Sequence, residues 1–169
     1  MASLPRASID SDTGARFRAA RWVALLLPAA LLAGAWGSQL IGGLVPCEMC
    51  HWQRWPHYGA LALALLAFAL PRRALVALAG VAIAASGAIG VIHAGVEYHW
   101  WNGFTACTST VAKGLSADEM LRQIMAAPVI RCDAAQWRLA GISLAGWNAI
   151  FSLAGAAAIG WLLRPRTTR

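Results

Sequence analysis

The chain has 169 residues, 59% of them hydrophobic and only 12% charged, with a net charge of +7. A water-soluble domain carries about 45–50% apolar and about 25% charged residues, so this composition excludes an ordinary soluble fold and calls for lipid as the solvent. The positive excess is gathered at a few chain positions rather than along a binding face, which argues against a nucleic-acid partner.

In chain order, a basic tail (1–21) precedes the first uncharged stretch, Trp22 to Val45. Arginines followed by an apolar run also begin a signal peptide, but this run is too long for one. A short loop (46–54) holds Pro46 and the run Cys47-Glu48-Met49-Cys50. The second stretch is Trp55 to Leu70, followed by a loop at 71–73 with Arg72 and Arg73. The third is Ala74 to Val96, and a polar loop (97–138) leads to the fourth, Leu139 to Leu163, and a tail (164–169). A span needs roughly 17–25 apolar residues. Three stretches qualify, and the second does if its helix starts upstream, nearer Cys50. The expected fold is an all-α integral membrane protein: one domain, a four-transmembrane-helix bundle rich in the Ala and Gly that let helices approach closely in lipid.

Charge orients the bundle. The tails and the 71–73 loop hold Arg6, Arg16, Arg18, Arg21, Arg72, Arg73, Arg164, Arg166 and Arg169 against Asp10 and Asp12. The other loops balance Arg54, Lys113, Arg122, Arg131 and Arg138 against Glu48, Glu97, Asp118, Glu119 and Asp133. The positive-inside bias then places both termini in the cytoplasm and both cysteine pairs outside. Trp52, Trp55, Trp100, Trp101 and Trp137 fall at outer span ends, and Trp22 and Trp161 at inner ends, where indole rings favour the headgroup level.

In the first outer loop, Gly42-Gly43 and Pro46 end span one. Pro56 marks the first turn of span two, or kinks it if that helix starts near Glu48. In the second, Ala117 to Ala127 reads as a helix with Ser116 as N-cap, Glu119 completing a capping box, and Pro128 ending it. Its apolar stripe of Met120, Leu121, Ile124 and Met125 fits a short helix lying on the membrane surface.

The four cysteines carry the chemistry. Zinc would ask for two CxxC motifs or a His pair, whereas Cys107 and Cys132 stand 25 apart, so no metal site is expected. Structural disulfides stabilise by closing long loops, and a Cys47–Cys50 bridge closes almost nothing. Short CxxC rings are instead the form of redox-active dithiols. Cys50 falls near the start of span two, where helix N–H groups favour a thiolate. Arg54, four residues on, shares its helix face. Arg54 either snorkels to headgroups or meets an anionic or carbonyl group beside Cys50, and a bilayer quinone fits the second role. His93 is a polar group near the outer end of span three, assigned to the same site. His51, His57 and His99 read as interfacial and carry no assigned role.

With these features the chain resembles the disulfide bond formation protein B (DsbB) family. The resemblance rests on Cys47-Glu-Met-Cys-His-Trp-Gln-Arg54, on His93-Ala-Gly-Val-Glu-Tyr-His-Trp-Trp, on Cys107, and on Cys132-Asp-Ala-Ala-Gln-Trp137. It covers residues 20 to 163. It implies an inner-membrane enzyme that reoxidises DsbA, a periplasmic thioredoxin-fold partner, and passes two electrons to a quinone, ubiquinone or menaquinone. On that resemblance the catalytic residues are Cys107, attacked by the partner, Cys132, its resting disulfide partner, Cys47, attacked in turn by Cys132, and Cys50, released against the quinone. Arg54 and His93 would be the quinone-binding residues. Two alternatives remain: a paralogue serving a dedicated partner, and a non-catalytic membrane protein using its cysteines in structural disulfides or for metal. A vitamin K epoxide reductase-like enzyme should carry its CxxC after the loop cysteines, not before them.

Overall fold

The computed structural model describes residues 6–103, 105, 107, 116–126 and 130–165. The expected helix end at Ala127 and Pro128 and the charges of Lys113, Arg166 and Arg169 lie outside the described residues, as do the side chains of Arg6, Asp10, Asp12 and Ile124. The elements are α1 (Arg6–Leu40), α2 (Glu48–Ala69), α3 (Arg73–Glu97), α4 (Ala117–Ala126), a hairpin of β1 (Arg138–Leu139) and β2 (Ile142–Ser143), and α5 (Leu144–Leu163).

Among the described residues, three helices are long and apolar enough to cross a membrane: α1 over Thr13–Leu40, α3 and α5. With this composition they make the chain a membrane protein. The α2 helix has 22 residues, about 33 Å at 1.5 Å per residue, but its first turns carry Glu48, His51, Gln53 and Arg54. α2 and α5 each pack on both α1 and α3. The α3–α5 contact is the most extensive, because Gly80, Gly87 and Gly90 present no side chain to α5. A cluster of Ala20, Ala24, Ala60, Ala64, Ala67, Val76, Ala79, Ile83 and Ile159 fills the end of the bundle far from the cysteines. At that end Arg16 donates to the Trp161 carbonyl and lies over the indole. Arg21 lies 4.1 Å from the Phe68 ring centroid. Arg16 and Arg21 therefore lie at one end of the bundle and the sulfurs at the other.

Several boundaries differ from those expected. α1 stops at Leu40, not Val45: the Gly37 carbonyl accepts from Ile41 and Gly42, and Gly43 turns the chain with φ 67°. α2 starts at Glu48, which puts Pro56 inside the helix and removes the N–H that would bond to the Trp52 carbonyl. The last stretch is not helical from Leu139. Residues 138–143 form a hairpin whose central Ala140 and Gly141 both have positive φ, 51° and 79°, as a type I′ turn needs. Ser143 then caps α5 by accepting from the Gly146 N–H. In α4 the Ser116 hydroxyl accepts from the Glu119 N–H at 3.4 Å, but the Glu119 carboxylate goes to Arg122 rather than back to Ser116. Met120, Leu121 and Met125 of α4 are exposed, unburied by the bundle.

Candidate functional site

Cys47 is the N-cap of α2. Its Sγ accepts from the Cys50 N–H at 3.3 Å and stands 2.8 Å from the Cys50 Sγ. The sequence pointed to helix N–H groups serving Cys50; the one observed serves Cys47. The hydrogen bond with Cys50, then burial, push the Cys47 thiol well above the ordinary range. The shared proton therefore rests on Cys47, and the negative charge of the pair falls to Cys50. Both are free thiols, Cys47 buried and Cys50 half-buried. A pH profile follows from this polarity. Iodoacetamide should label Cys50 with a midpoint below about 8.5, the free-thiol value, and leave Cys47 unlabelled. A midpoint at or above the free-thiol value would reverse the polarity.

The second cysteine pair is a disulfide, Cys107–Cys132, with both residues buried. One backbone bond ties the pair together, and two sets of contacts beyond it hold it beside the CxxC. The Cys132 N–H donates to the Cys107 carbonyl at 3.0 Å. Gln136 behaves as a short strand partner for the first loop: Val45 N–H donates to its Oε1 at 3.1 Å, and its Nε2 donates to the Val45 carbonyl at 2.6 Å. Tyr98 fixes the hairpin behind it, donating to the Gly141 carbonyl and accepting from the Ser143 N–H, each at 2.9 Å. The result is a buried cluster in which the Cys47 and Cys132 sulfurs and a His93 ring nitrogen lie within 4.8 Å of one another.

A cavity of ≈ 260 Å³ opens beside this cluster and reaches Cys47, Cys50, Arg54, His57 and His93. Arg54 is 8% exposed, so it does not snorkel. Its Nη1 donates to Gln39 Oε1 at 2.9 Å, its Nη2 donates to the Ala35 carbonyl at 3.1 Å, and the guanidinium lies 5.3 Å from the Trp36 ring centroid. Those contacts neutralise nothing, so a fixed cation remains in the cavity wall one helical turn from Cys50. His93 reaches two places. Its Nε2 lies 3.5 Å from Cys47 Sγ and 3.7 Å from Glu97 Oε1, and its Nδ1 lies 2.8 Å from Gln53 Nε2.

Sequence reading missed a polar network behind the cavity and misplaced His57, which is 3% exposed and not interfacial. Asn148 Nδ2 donates to Gln53 Oε1 at 2.8 Å and to Ser86 Oγ at 3.2 Å. Asn148 Oδ1 accepts from Ser152 Oγ at 3.1 Å and lies 3.0 Å from His57 Nε2, which also stands 2.9 Å from Ser86 Oγ. Ser86 Oγ donates to the Gln53 carbonyl at 2.8 Å. Three helices meet here through side chains, and buried polar groups persist in an apolar bundle only when bonded in this way. The available signal was periodic: Gln53 and His57 stand four apart on α2, and Asn148 and Ser152 four apart on α5. His51 and His99 are exposed.

The family model described as Disulfide bond formation protein DsbB matches residues 17–162. A curated relative from Marinobacter nauticus, named Disulfide bond formation protein B, is 31% identical over 143 residues, covering 78% of this chain and 84% of its own. No solved structure matches the chain significantly.

Proposed function

The chain belongs to the disulfide bond formation protein DsbB family, and on that premise we propose that it is an inner-membrane thiol oxidase that reoxidises a periplasmic DsbA-like dithiol and passes the electrons to a membrane quinone. Family membership makes it a disulfide-bond-forming membrane protein and a thiol oxidoreductase. The partner, the electron acceptor and the residue roles are our reading. One observation carries it: the sulfurs form an unbroken series, from Cys107 bonded to Cys132, to Cys47 within 4.8 Å of Cys132, to Cys50 at 2.8 Å, and the series ends at a cavity with a fixed cation in its wall.

Thiol–disulfide exchange runs by thiolate attack on a sulfur with a thiolate leaving. A partner thiolate attacks Cys107, the Cys107–Cys132 bond breaks, and Cys132 leaves as a thiolate. Cys132 attacks Cys47 of a Cys47–Cys50 disulfide. A Cys47–Cys132 bond forms and Cys50 leaves. The partner's second thiolate then attacks its mixed disulfide, freeing the oxidised partner and Cys107. Cys107 attacks Cys132, and Cys47 leaves and takes up a proton. Two electrons have moved from the partner to Cys47 and Cys50, giving the observed arrangement of a closed Cys107–Cys132 disulfide beside a dithiol. The His93 imidazole beside Cys47 holds that sulfur as it leaves.

The cavity fits a quinone: its walls are mostly apolar, Cys50 lies in it, and Arg54 is held there by α1. A bound quinone supplies the two-electron sink, taking two electrons and two protons as the dithiol closes. Arg54 would hold it, with His93 lining the same space. In this reading α2 is the fourth span, its polar first turns face the periplasm with all four sulfurs, and the arginine end with both termini is cytoplasmic.

Reconstitution with a quinone and a reduced thioredoxin-fold partner tests the proposal: the intact chain should reduce quinone in step with partner oxidation. Inertness toward the partner and the quinone together would overturn it. Arg54→Ala should raise the apparent quinone KM roughly tenfold, the cost of one hydrogen bond to a charged group, with less effect on partner oxidation at saturating quinone. An unchanged KM would leave Arg54 with only its α1 contacts.

A further inference from the structure

Gln53 has no part in the exchange steps, yet its buried amide meets His93 in a fixed orientation. Its Nε2 donates to the Met49 carbonyl at 3.1 Å, and its Oε1 accepts from Asn148 Nδ2 at 2.8 Å. Asn148 Nδ2 is itself marked as the donor end by the Ser86 carbonyl, 3.3 Å away. The other hydrogen on Gln53 Nε2 therefore goes to His93 Nδ1 at 2.8 Å. A neutral imidazole carries one hydrogen, and with Nδ1 accepting, that hydrogen is on Nε2. A second proton, on Nδ1, would face the Gln53 N–H donor against donor, and turning the amide over would break with Met49 and Asn148 together. The ring is thus held neutral. Around Nε2 stand Cys47 Sγ at 3.5 Å and Glu97 Oε1 at 3.7 Å. The ring also bonds the Cys132 backbone, whose N–H is committed to the Cys107 carbonyl, which leaves the Cys132 carbonyl to accept. Among these atoms, the Cys47 sulfur is the one that becomes charged as exchange proceeds.

We infer that Gln53 is a positioning residue for the exchange: by donating to His93 Nδ1 it commits the ring's one hydrogen to Nε2, where it steadies the charge on Cys47 as that sulfur leaves. The inference rests on the proposed order of the sulfurs and deepens it. In the step concerned, the Cys107 thiolate attacks Cys132. A Cys107–Cys132 bond forms, the Cys132–Cys47 bond breaks, and the electron pair goes to Cys47. Nε2–H then faces a thiolate where it faced a neutral sulfur, and a hydrogen bond to a charged group is the stronger. An interaction that strengthens as the bond breaks speeds the step. His93 keeps its hydrogen throughout, and the proton that Cys47 takes up afterwards comes from water. A ring with its hydrogen on Nδ1 would turn a lone pair towards the same charge.

The test uses the full chain in detergent, labelled with 15N-histidine, with His93 identified by the signals lost in His93→Phe. In the parent, His93 should carry its hydrogen on Nε2 and none on Nδ1; a hydrogen on Nδ1 overturns the inference with no variant at Gln53. Gln53→Glu is the informative substitution. It keeps the length and an oxygen for Asn148, but sets a carboxylate at Nδ1, which should draw the ring hydrogen there as in a hydrolase triad. The same chains, fully oxidised and freed of quinone, are mixed with less than one equivalent of a reduced thioredoxin-fold protein. The reaction is stopped with acid at intervals, and the free thiols are alkylated and identified by peptide mass. Free Cys47 should appear at least about tenfold more slowly in Gln53→Glu, the worth of one hydrogen bond to a charged group, with free Cys107 accumulating before it. In the His93→Phe background the same substitution should change the rate less than about twofold, because Gln53 acts through the ring. An equal slowing in that background would make Gln53 merely structural, and a parental rate with the hydrogen moved to Nδ1 would overturn the inference as surely. Either result leaves the order of the sulfurs standing. A parent chain in which free Cys47 never follows free Cys107 would overturn that order itself.

Discussion

A Cys50→Ser chain is expected to lose quinone reduction by on the order of a thousandfold or more, because the sulfur that meets the cavity is the one that cannot be replaced. Its neighbours survive in place: Cys47 still caps α2, and the Cys107–Cys132 disulfide still docks through Gln136. Cys107→Ser should abolish steady-state turnover as completely, for a different reason, since it removes only the point of entry. The two separate in a single turnover. If the Cys107→Ser chain is reduced with dithiothreitol and desalted, its Cys47 and Cys50 dithiol should still reduce one equivalent of quinone, read as loss of quinone absorbance. The Cys50→Ser chain treated alike should reduce none. Quinone reduction by Cys50→Ser would break the proposed order at its last step, and an inert prereduced Cys107→Ser chain would break it at the first.

The grouping of the sulfurs was visible in the sequence, and their proposed order came only from the family resemblance. A CxxC closing almost no loop, an arginine four residues on and two further cysteines in a polar loop sufficed to group the sulfurs. The long apolar stretches gave the helices, and their errors have local physical causes. Leu139 reads as apolar and helical, but the positive φ of Ala140 and Gly141 turns the chain before α5 can begin. Cys47 was not read as a cap, because a thiol is a weaker acceptor than the Ser, Thr, Asp or Asn that signal one. Arg54 could be placed on a face, but its anchors lie on α1, at Gln39 and the Ala35 carbonyl, and no spacing within α2 points to them. His57 was misread for a related reason. A histidine two residues past a tryptophan looks interfacial until Asn148 and Ser86 arrive from other helices to bond it. Pairs within one helix are legible as spacing. Pairs between helices depend on a packing that no single segment encodes.

That packing turns on Gly90, and replacing it should have the largest effect on stability. A Cβ at Gly90 would sit 3.0 Å from the Ala145 carbonyl oxygen and 3.1 Å from both the Ala149 nitrogen and Asn148 Nδ2. Two of those atoms are backbone and cannot swing aside. Gly90→Leu therefore has to part α3 from α5. The cost combines overpacking, about 1–3 kcal/mol, with the unmaking of Asn148's buried hydrogen bonds to Gln53 and Ser86, roughly 1–3 kcal/mol for each group left unpaired. A total of about 3 kcal/mol or more is expected, measured by unfolding in mixed detergent micelles. Gly59→Leu is the control, since nothing lies within 4 Å of a Cβ there and the residue is exposed; its effect should stay within about 0.5 kcal/mol. The loss should also reach the chemistry. α3 carries His93 against Cys47, and α5 carries Asn148 against His57, so parting the two helices loosens the thiol cluster and the cavity wall together. A Gly90→Leu chain as stable as the parent would mean that α3 and α5 are not held at backbone contact, and the shared geometry of cluster and cavity would then need another origin.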